Sequence, residues 1–188
     1  MSVEIGYETH ATSVDNERGL ATGWLPGTLS ERGREQARAL GRRRREVDVV
    51  LVSDLARAVE TAAIAFSGRD VPMFQDVRLR ECNYGRLNGM RVSRLASERG
   101  AHIMEPWPGG QSYLDVVTDM KSLLADLPKN WDGARVCLIG HSANRWALDH
   151  LLLGEALEDL VDRPFGWQEG WHYSLPSNWT AGVRHESV

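Results

Sequence analysis

Lysine is nearly missing from this chain. Lys121 and Lys129 are the only two, so almost all of the 22 basic residues are arginine. Genomic bias and phosphate handling both produce such a skew, and composition does not separate them. Cysteine is as scarce: Cys82 and Cys137 stand in different contexts, with no Cys-x-x-Cys or Cys/His spacing to suggest a zinc site. Cys137 lies inside an apolar run and reads as a buried thiol. No apolar stretch approaches the length of a bilayer span, and Met1 to His10 has neither a basic opening nor a long apolar core. A cytoplasmic protein of a reducing compartment is therefore expected. The net charge of −4 gives no global attraction to nucleic acid or to an anionic membrane. Repeats, low-complexity tracts and linkers are also lacking, so residues 1–188 read as a single domain, with assembly as a homodimer left open.

What the chain does contain is an alternation of short apolar runs and amphipathic segments. Val3 to Tyr7 reads as a strand that delivers His10 into a loop of small and polar residues. Ser30 is a good N-cap with Glu31 in the first turn, and that helix runs to the basic cluster Arg42-Arg43-Arg44-Arg45, read as a solvated helix end. Val47 to Val52 reads as a strand buried on both faces, ending at Ser53-Asp54, either of which can cap a helix from Leu55 to Phe66. Arg57 then falls in a first helical turn, where a cation opposes the helix dipole and a bound anion would explain it. Val71 to Phe74 suits a short strand, and Val92 to Pro108 an irregular or partly helical excursion. A helix is predicted from Ser112 to Leu127, a second buried strand from Ala134 to Ile139, and a helix from Asn144 to Leu153 closed by Gly154. Phe165 to Val183 suits a final strand. The order predicts a three-layer α/β/α sandwich with a mostly parallel central sheet, and ligands in such folds sit at the carboxyl ends of the strands. His10, the Ser53–Arg57 turn and His141 fall at that edge.

Those residues permit one kind of chemistry together. A neutral imidazole attacks phosphorus, and a covalent intermediate splits one displacement into two. The transferring phosphoryl needs fixed donors and positive charge, which Arg57 and a second histidine, His141, supply. A loop carboxyl, Glu81, suits protonation of the leaving alkoxide. None of this calls for a metal or another cofactor.

The motifs resemble those of the histidine phosphatase superfamily, which includes cofactor-dependent phosphoglycerate mutases. The likeness is carried by His10, Ser13, Asn16, Gly23-Trp24 and Leu29-Ser30-Glu31-Arg32-Gly33, then by Ser53-x-Leu55-x-Arg57-Ala58-x-x-Thr61-Ala62. Leu79-Arg80-Glu81 with Tyr84-Gly85 and Gly89, Gly109-Gly110-Gln111-Ser112 and finally His141 continue it across nearly the whole chain. The resemblance implies that His10 takes the phosphoryl group and that Arg57 and His141 bind it. Glu81 would protonate the leaving group and then help activate water, with Thr9, Asn16, Gly23 and the backbone near Ser142 around the phosphate. It implies a small-molecule phosphate ester as substrate, and hydrolysis rather than mutase transfer, because 188 residues leave little room for lid segments.

The departures are as specific. Thr9 stands where the family has arginine, Ala11 where it has glycine, Thr12 where it has glutamate, and Trp146 where many members carry arginine. Losing a charged donor aimed at a transferring phosphoryl costs about 2–4 kcal/mol, so slower chemistry or an altered substrate group is expected. Arg80, Arg145 and Arg18 are the candidates to supply the missing charge. Two other readings compete. A phosphatase fold that binds a phosphorylated ligand without turnover would follow from Thr9. A serine hydrolase would follow from Gly140-His141-Ser142-Ala143-Asn144, one residue short of a nucleophile elbow, with Asp159 and His172 after it. His102, His150, His172 and His185 have no motif context and read as structural or surface residues. The tail aromatics Trp167, Trp171, Tyr173 and Trp179 read as core cover.

Overall fold

Two strands carry most of the architecture. β1 (Ser2–Thr9) and β6 (Arg135–Gly140) run parallel side by side, with Glu4 opposite Arg135 and Thr9 opposite Gly140. In this computed structural model, which describes residues 1–164 and 168–180, they sit at the centre of a five-stranded sheet. β3 (Val49–Val52) lies parallel to β6, and β4 (Met73–Gln75) extends that edge in the same direction. β7 (Trp171–Pro176) closes the other edge antiparallel to β1, giving the order β4-β3-β6-β1-β7. A two-stranded ribbon, β2 (Leu20–Ala21) with β5 (Met90–Arg91), stands apart.

The continuous apolar runs are read by both faces of the sheet. Val49, Leu51, Val136 and Leu138 join Val3, Ile5 and Tyr7 in the larger core. That core is covered by α5 (Tyr113–Trp131), α6 (Ser142–Leu148) and α7 (Leu157–Asp162). The alternate residues Val50, Val52, Cys137 and Ile139 pack on the other side with Leu40, Ala58, Ala62 and Phe66. They lie under α2 (Glu31–Arg43) and α3 (Ala56–Ala65). This is the expected three-layer arrangement. The remaining helices are short: α1 (Val14–Glu17) follows the first loop, and α4 (Val92–Glu98) opens the excursion.

Several boundaries differ from expectation for local reasons. α2 does start as expected at the Ser30 cap, whose Oγ accepts from the Gly33 amide at 3.2 Å. α3 is not capped by Ser53 or Asp54. Leu55 is its N-cap without a side-chain bond, and the Asp54 carboxylate is committed to Arg80. α5 runs four residues beyond Leu127 and carries Pro128 inside its last turns. α6 begins at Ser142, passes into a π-type turn at Asp149–Leu153 and ends at Gly154 with φ 71°. The arginine cluster is only partly a solvated end: Arg42 and Arg45 are exposed, but Arg44 is buried, and its guanidinium reaches Glu8 of β1 at 2.8 Å, beside Arg43 at 2.7 Å. Phe165, Trp167, Val183 and His185 lie outside the described residues. Trp171 and Trp179 pack against the larger core as cover, and Tyr173 is buried in it.

Candidate active site

The three centres of interest meet because neighbouring strands end together. His10 directly follows β1, and its amide donates to the carbonyl of Gly140 at 2.9 Å. His141 directly follows β6, so the two imidazoles come within 5.0 Å, centroid to centroid. Arg57, in the first turn of α3 after the adjacent β3, slides its guanidinium between them. Its Nε donates to His10 Nε2 at 3.2 Å, and its Nη2 lies 3.2 Å from His141 Nδ1 and donates to the Gly23 carbonyl at 2.8 Å. Its Nη1 is buried with no hydrogen-bond partner among the described residues.

These bonds define each ring's tautomer. His10 Nδ1–H donates to the Ala11 carbonyl at 2.7 Å, which leaves the lone pair on Nε2. His141 accepts from Arg57 at Nδ1, so its Nε2–H donates to Ser53 Oγ at 3.0 Å. Burial, then the Arg57 charge, lowers His10 to about 3 despite the opposing Ala11 bond. Burial, the Arg57 charge and His10 likewise hold His141 well below its ordinary value. Both rings are neutral at physiological pH. The Arg57 guanidinium, although its own pKa is lowered by burial, stays charged.

Glu81 comes from the loop that follows a short 3-10 turn at Val77–Leu79. One oxygen accepts from the Cys82 amide at 2.8 Å and the Ala143 amide at 3.3 Å, the other from the Ser142 hydroxyl at 2.9 Å. Its backbone is held as well, since Trp24 Nε1 donates to the Glu81 carbonyl at 2.6 Å. Two glycines make this crowding feasible. Gly23 has φ 56°, and a Cβ there would meet Asn88 Oδ1 at 1.9 Å. A Cβ on Gly33 would meet the Thr12 carbonyl at 1.9 Å, so α2 could not lie against the His10 loop.

A cavity of about 530 Å³ opens over the cluster, with Thr9, His10, Asn16, Gly23, Arg57, Glu81 and Ser142 in its wall. Each of the eight predicted residues except His141 lines it, and His141 lies directly behind, bonded to Arg57. Thr9 is buried, and its Oγ1 has no hydrogen-bond partner among the described residues. Asn16 spends its Oδ1 on the Ser13 amide in a capping box for α1. Ser142 is committed to Glu81. That bond also removes the nucleophile-elbow arrangement, because the hydroxyl faces a carboxylate while His172 sits against Arg44 at 3.1 Å.

None of the three arginines considered for the missing charge lines the cavity. Arg80 is locked on Asp54 at 2.5 Å and stacked over Trp24, Arg145 pairs with Asp149 at 2.6 Å, and Arg18 is exposed. Among the described residues, the cavity arginine besides Arg57 is Arg99, which sequence reading passed over. The signal was there: Val92, Leu95 and Arg99, spaced three and then four apart, share one helical face.

Two neutral histidines clamped on a buried arginine at the carboxyl ends of parallel strands define an α/β protein built to meet an anion. The sequence model of the histidine phosphatase superfamily (branch 1) matches residues 9–168, and the chain belongs to that family. It is 32% identical over 168 residues to a phosphoglycerate mutase dependent on bisphosphoglycerate from Methylobacterium sp. (strain 4-46), covering 80% of this chain and 81% of the relative. A mutase of the same description from Actinobacillus succinogenes is 32% identical over 126 residues, 63% of this chain. The match spans only 56% of that relative's own length, and 49% of one from Tropheryma whipplei. Among solved structures, Bacillus stearothermophilus YhfR superimposes with a TM-score of 0.81 at 22% identity, covering 99% of this chain and 98% of that one. A mycobacterial glucosyl-3-phosphoglycerate phosphatase gives 0.74 at 24% identity, covering 86% and 84%. These structural likenesses establish the fold.

Proposed function

We propose that this protein hydrolyses a small phosphomonoester through a phosphohistidine on His10. The observation that carries the reading is Arg57, a residue of the cavity wall whose charged guanidinium holds the lone-pair nitrogens of two neutral histidines and whose buried Nη1 has no hydrogen-bond partner among the described residues. A phosphoryl dianion entering the cavity satisfies that donor and competes for the others, which frees His10 Nε2 to attack. Attack forms the N–P bond and breaks the bond from phosphorus to the ester oxygen, and Glu81 gives its proton to the departing alkoxide. Water then attacks phosphorus and loses a proton to Glu81, and the N–P bond breaks to return the pair to Nε2. The Ser142 hydroxyl both donates and accepts, so it can hold Glu81 in either protonation state.

Thr9 offers a neutral hydroxyl in place of the family's arginine, and the proposal accepts a slower enzyme as its consequence. Hydrolysis and mutase transfer share the first half-reaction, and relatives of both kinds bear names for them. Hydrolysis needs only water for the second half. Turnover of an aryl phosphate tests the reading: the wild type releases phosphate, and His10→Ala lowers kcat/KM by roughly a thousandfold or more. Equal inertness of the two proteins, with phosphate esters still bound, returns the non-catalytic binding fold. Transfer of the phosphoryl group to a second acceptor faster than to water returns the mutase.

A further inference from the structure

Among the described residues, Arg99 is the cationic group of the cavity that the proposed phosphoryl chemistry does not use. It closes α4, and only 7% of its surface is exposed. No side-chain hydrogen bond or ion pair holds its guanidinium among the described residues, and its Nε is buried without a partner. It stacks over the ring of Trp146, 5.0 Å from the ring centroid. Tyr113, edge-on to the same ring at 5.6 Å, has no hydrogen-bond partner for its buried hydroxyl among the described residues. Burying a guanidinium without a carboxylate is costly, and a stacked ring offsets only part of that.

Its surroundings separate it from the phosphoryl end. α4 contributes the apolar Val92, Leu95 and Ala96 to the cavity wall, and the end of α7 contributes Asp162, which no hydrogen bond or ion pair joins to Arg99 among the described residues. The Arg99 charge is felt at Tyr84 and Tyr113. Arg99 exchanges no hydrogen bond with His10, Arg57 or His141.

We infer that Arg99 is a specificity-determining residue that receives a second anionic group, a carboxylate or a further phosphate, carried by the leaving group of the substrate. The inference rests on the phosphomonoester reading of the same cavity. The substrate class is thus a small phosphomonoester with two anionic ends, joined by a short apolar span that faces Val92 and Leu95. Arginine suits this task because its planar fork meets carboxylate or phosphate with two parallel bonds.

Equilibrium binding to the His10→Ala protein tests this without requiring turnover. Phosphoserine is compared with phosphoethanolamine, which lacks only the carboxylate, and glycol bisphosphate with glycol monophosphate. Preference for the doubly anionic member of either pair by roughly ten- to a hundredfold is expected, and the favoured pair tells carboxylate from phosphate. Adding Arg99→Gln is expected to bring that ratio to within about twofold. Should that variant fail to fold, Arg99→Lys, which keeps charge and loses the fork, is expected to reduce the ratio severalfold. No preference in either pair, including no binding at all, overturns the inference, as does a preference that survives Arg99→Gln. Failure of the phosphatase reading shows separately, as an inert wild type that still prefers the doubly anionic member.

Discussion

His10 and His141 keep neutral rings against a guanidinium, and that arrangement has a measurable cost in acid. Their pKa values are depressed by burial and by Arg57, while in the unfolded chain each titrates near 6.5. Below that pH the unfolded state binds more protons than the folded one. Stability is therefore full above about pH 6.5 and falls as pH drops towards 3, by about 1.4 kcal/mol per pH unit for each histidine held neutral. Urea denaturation between pH 7 and pH 5 checks this, with His141→Gln expected to flatten the slope. Glu81 has a different signature. Glu81→Gln is expected to lower kcat by roughly a hundredfold or more for an alkyl phosphate, and little for a nitrophenyl phosphate whose leaving group needs no proton. An equal loss on both esters contradicts the proton-donor role. His10, Arg57, Glu81 and His141 were legible in the sequence because each sits in a motif at a strand or helix end. The commitment of Ser142 to Glu81 was not, since a hydroxyl's partner depends on which loop folds over it. Arg99 was hidden by its setting, a helix too short to announce itself.

At the level of elements, β1 and α2 are joined by a device that spacing could not reveal. Glu8 is 1% exposed and faces Arg43 and Arg44 from the end of α2. Four arginines in a row at a helix end look solvated, and only the fold brings a strand carboxylate 36 residues away to meet them. Removing one partner strands buried charge, so Glu8→Gln is expected to destabilise the protein by about 3–5 kcal/mol, read from urea midpoints at constant slope. A loss under 1 kcal/mol would place the pair in solvent. The capped helices were easier to foresee. Ser30 and Ser112 each accept from the amide three residues on, and the strand cores Val49–Val52 and Val136–Ile139 follow from unbroken aliphatic runs. α3 misled at its start because Asp54, the obvious cap, is drawn off by Arg80.

For the molecule as a whole, topology accounts for the site. Parallel β1, β6 and β3 end at one level, so His10, His141 and Arg57 need no long loops to meet. That much follows from the strand and helix order alone. What the order does not contain is the cavity's far wall, contributed by α4 from a stretch whose sequence matches no motif. Thr9 remains the sharpest departure from the family, and it bears on whether the two histidines still support a covalent step. Rapid acid- and alkali-quench labelling with a phosphate ester, read by mass spectrometry of the peptide around residue 10, measures that step directly. The account predicts phosphate on His10, labile in acid and stable in alkali, that forms in the wild type and never in His10→Ala. Ester turnover without any phosphohistidine, or label found on Ser142 instead, would contradict it.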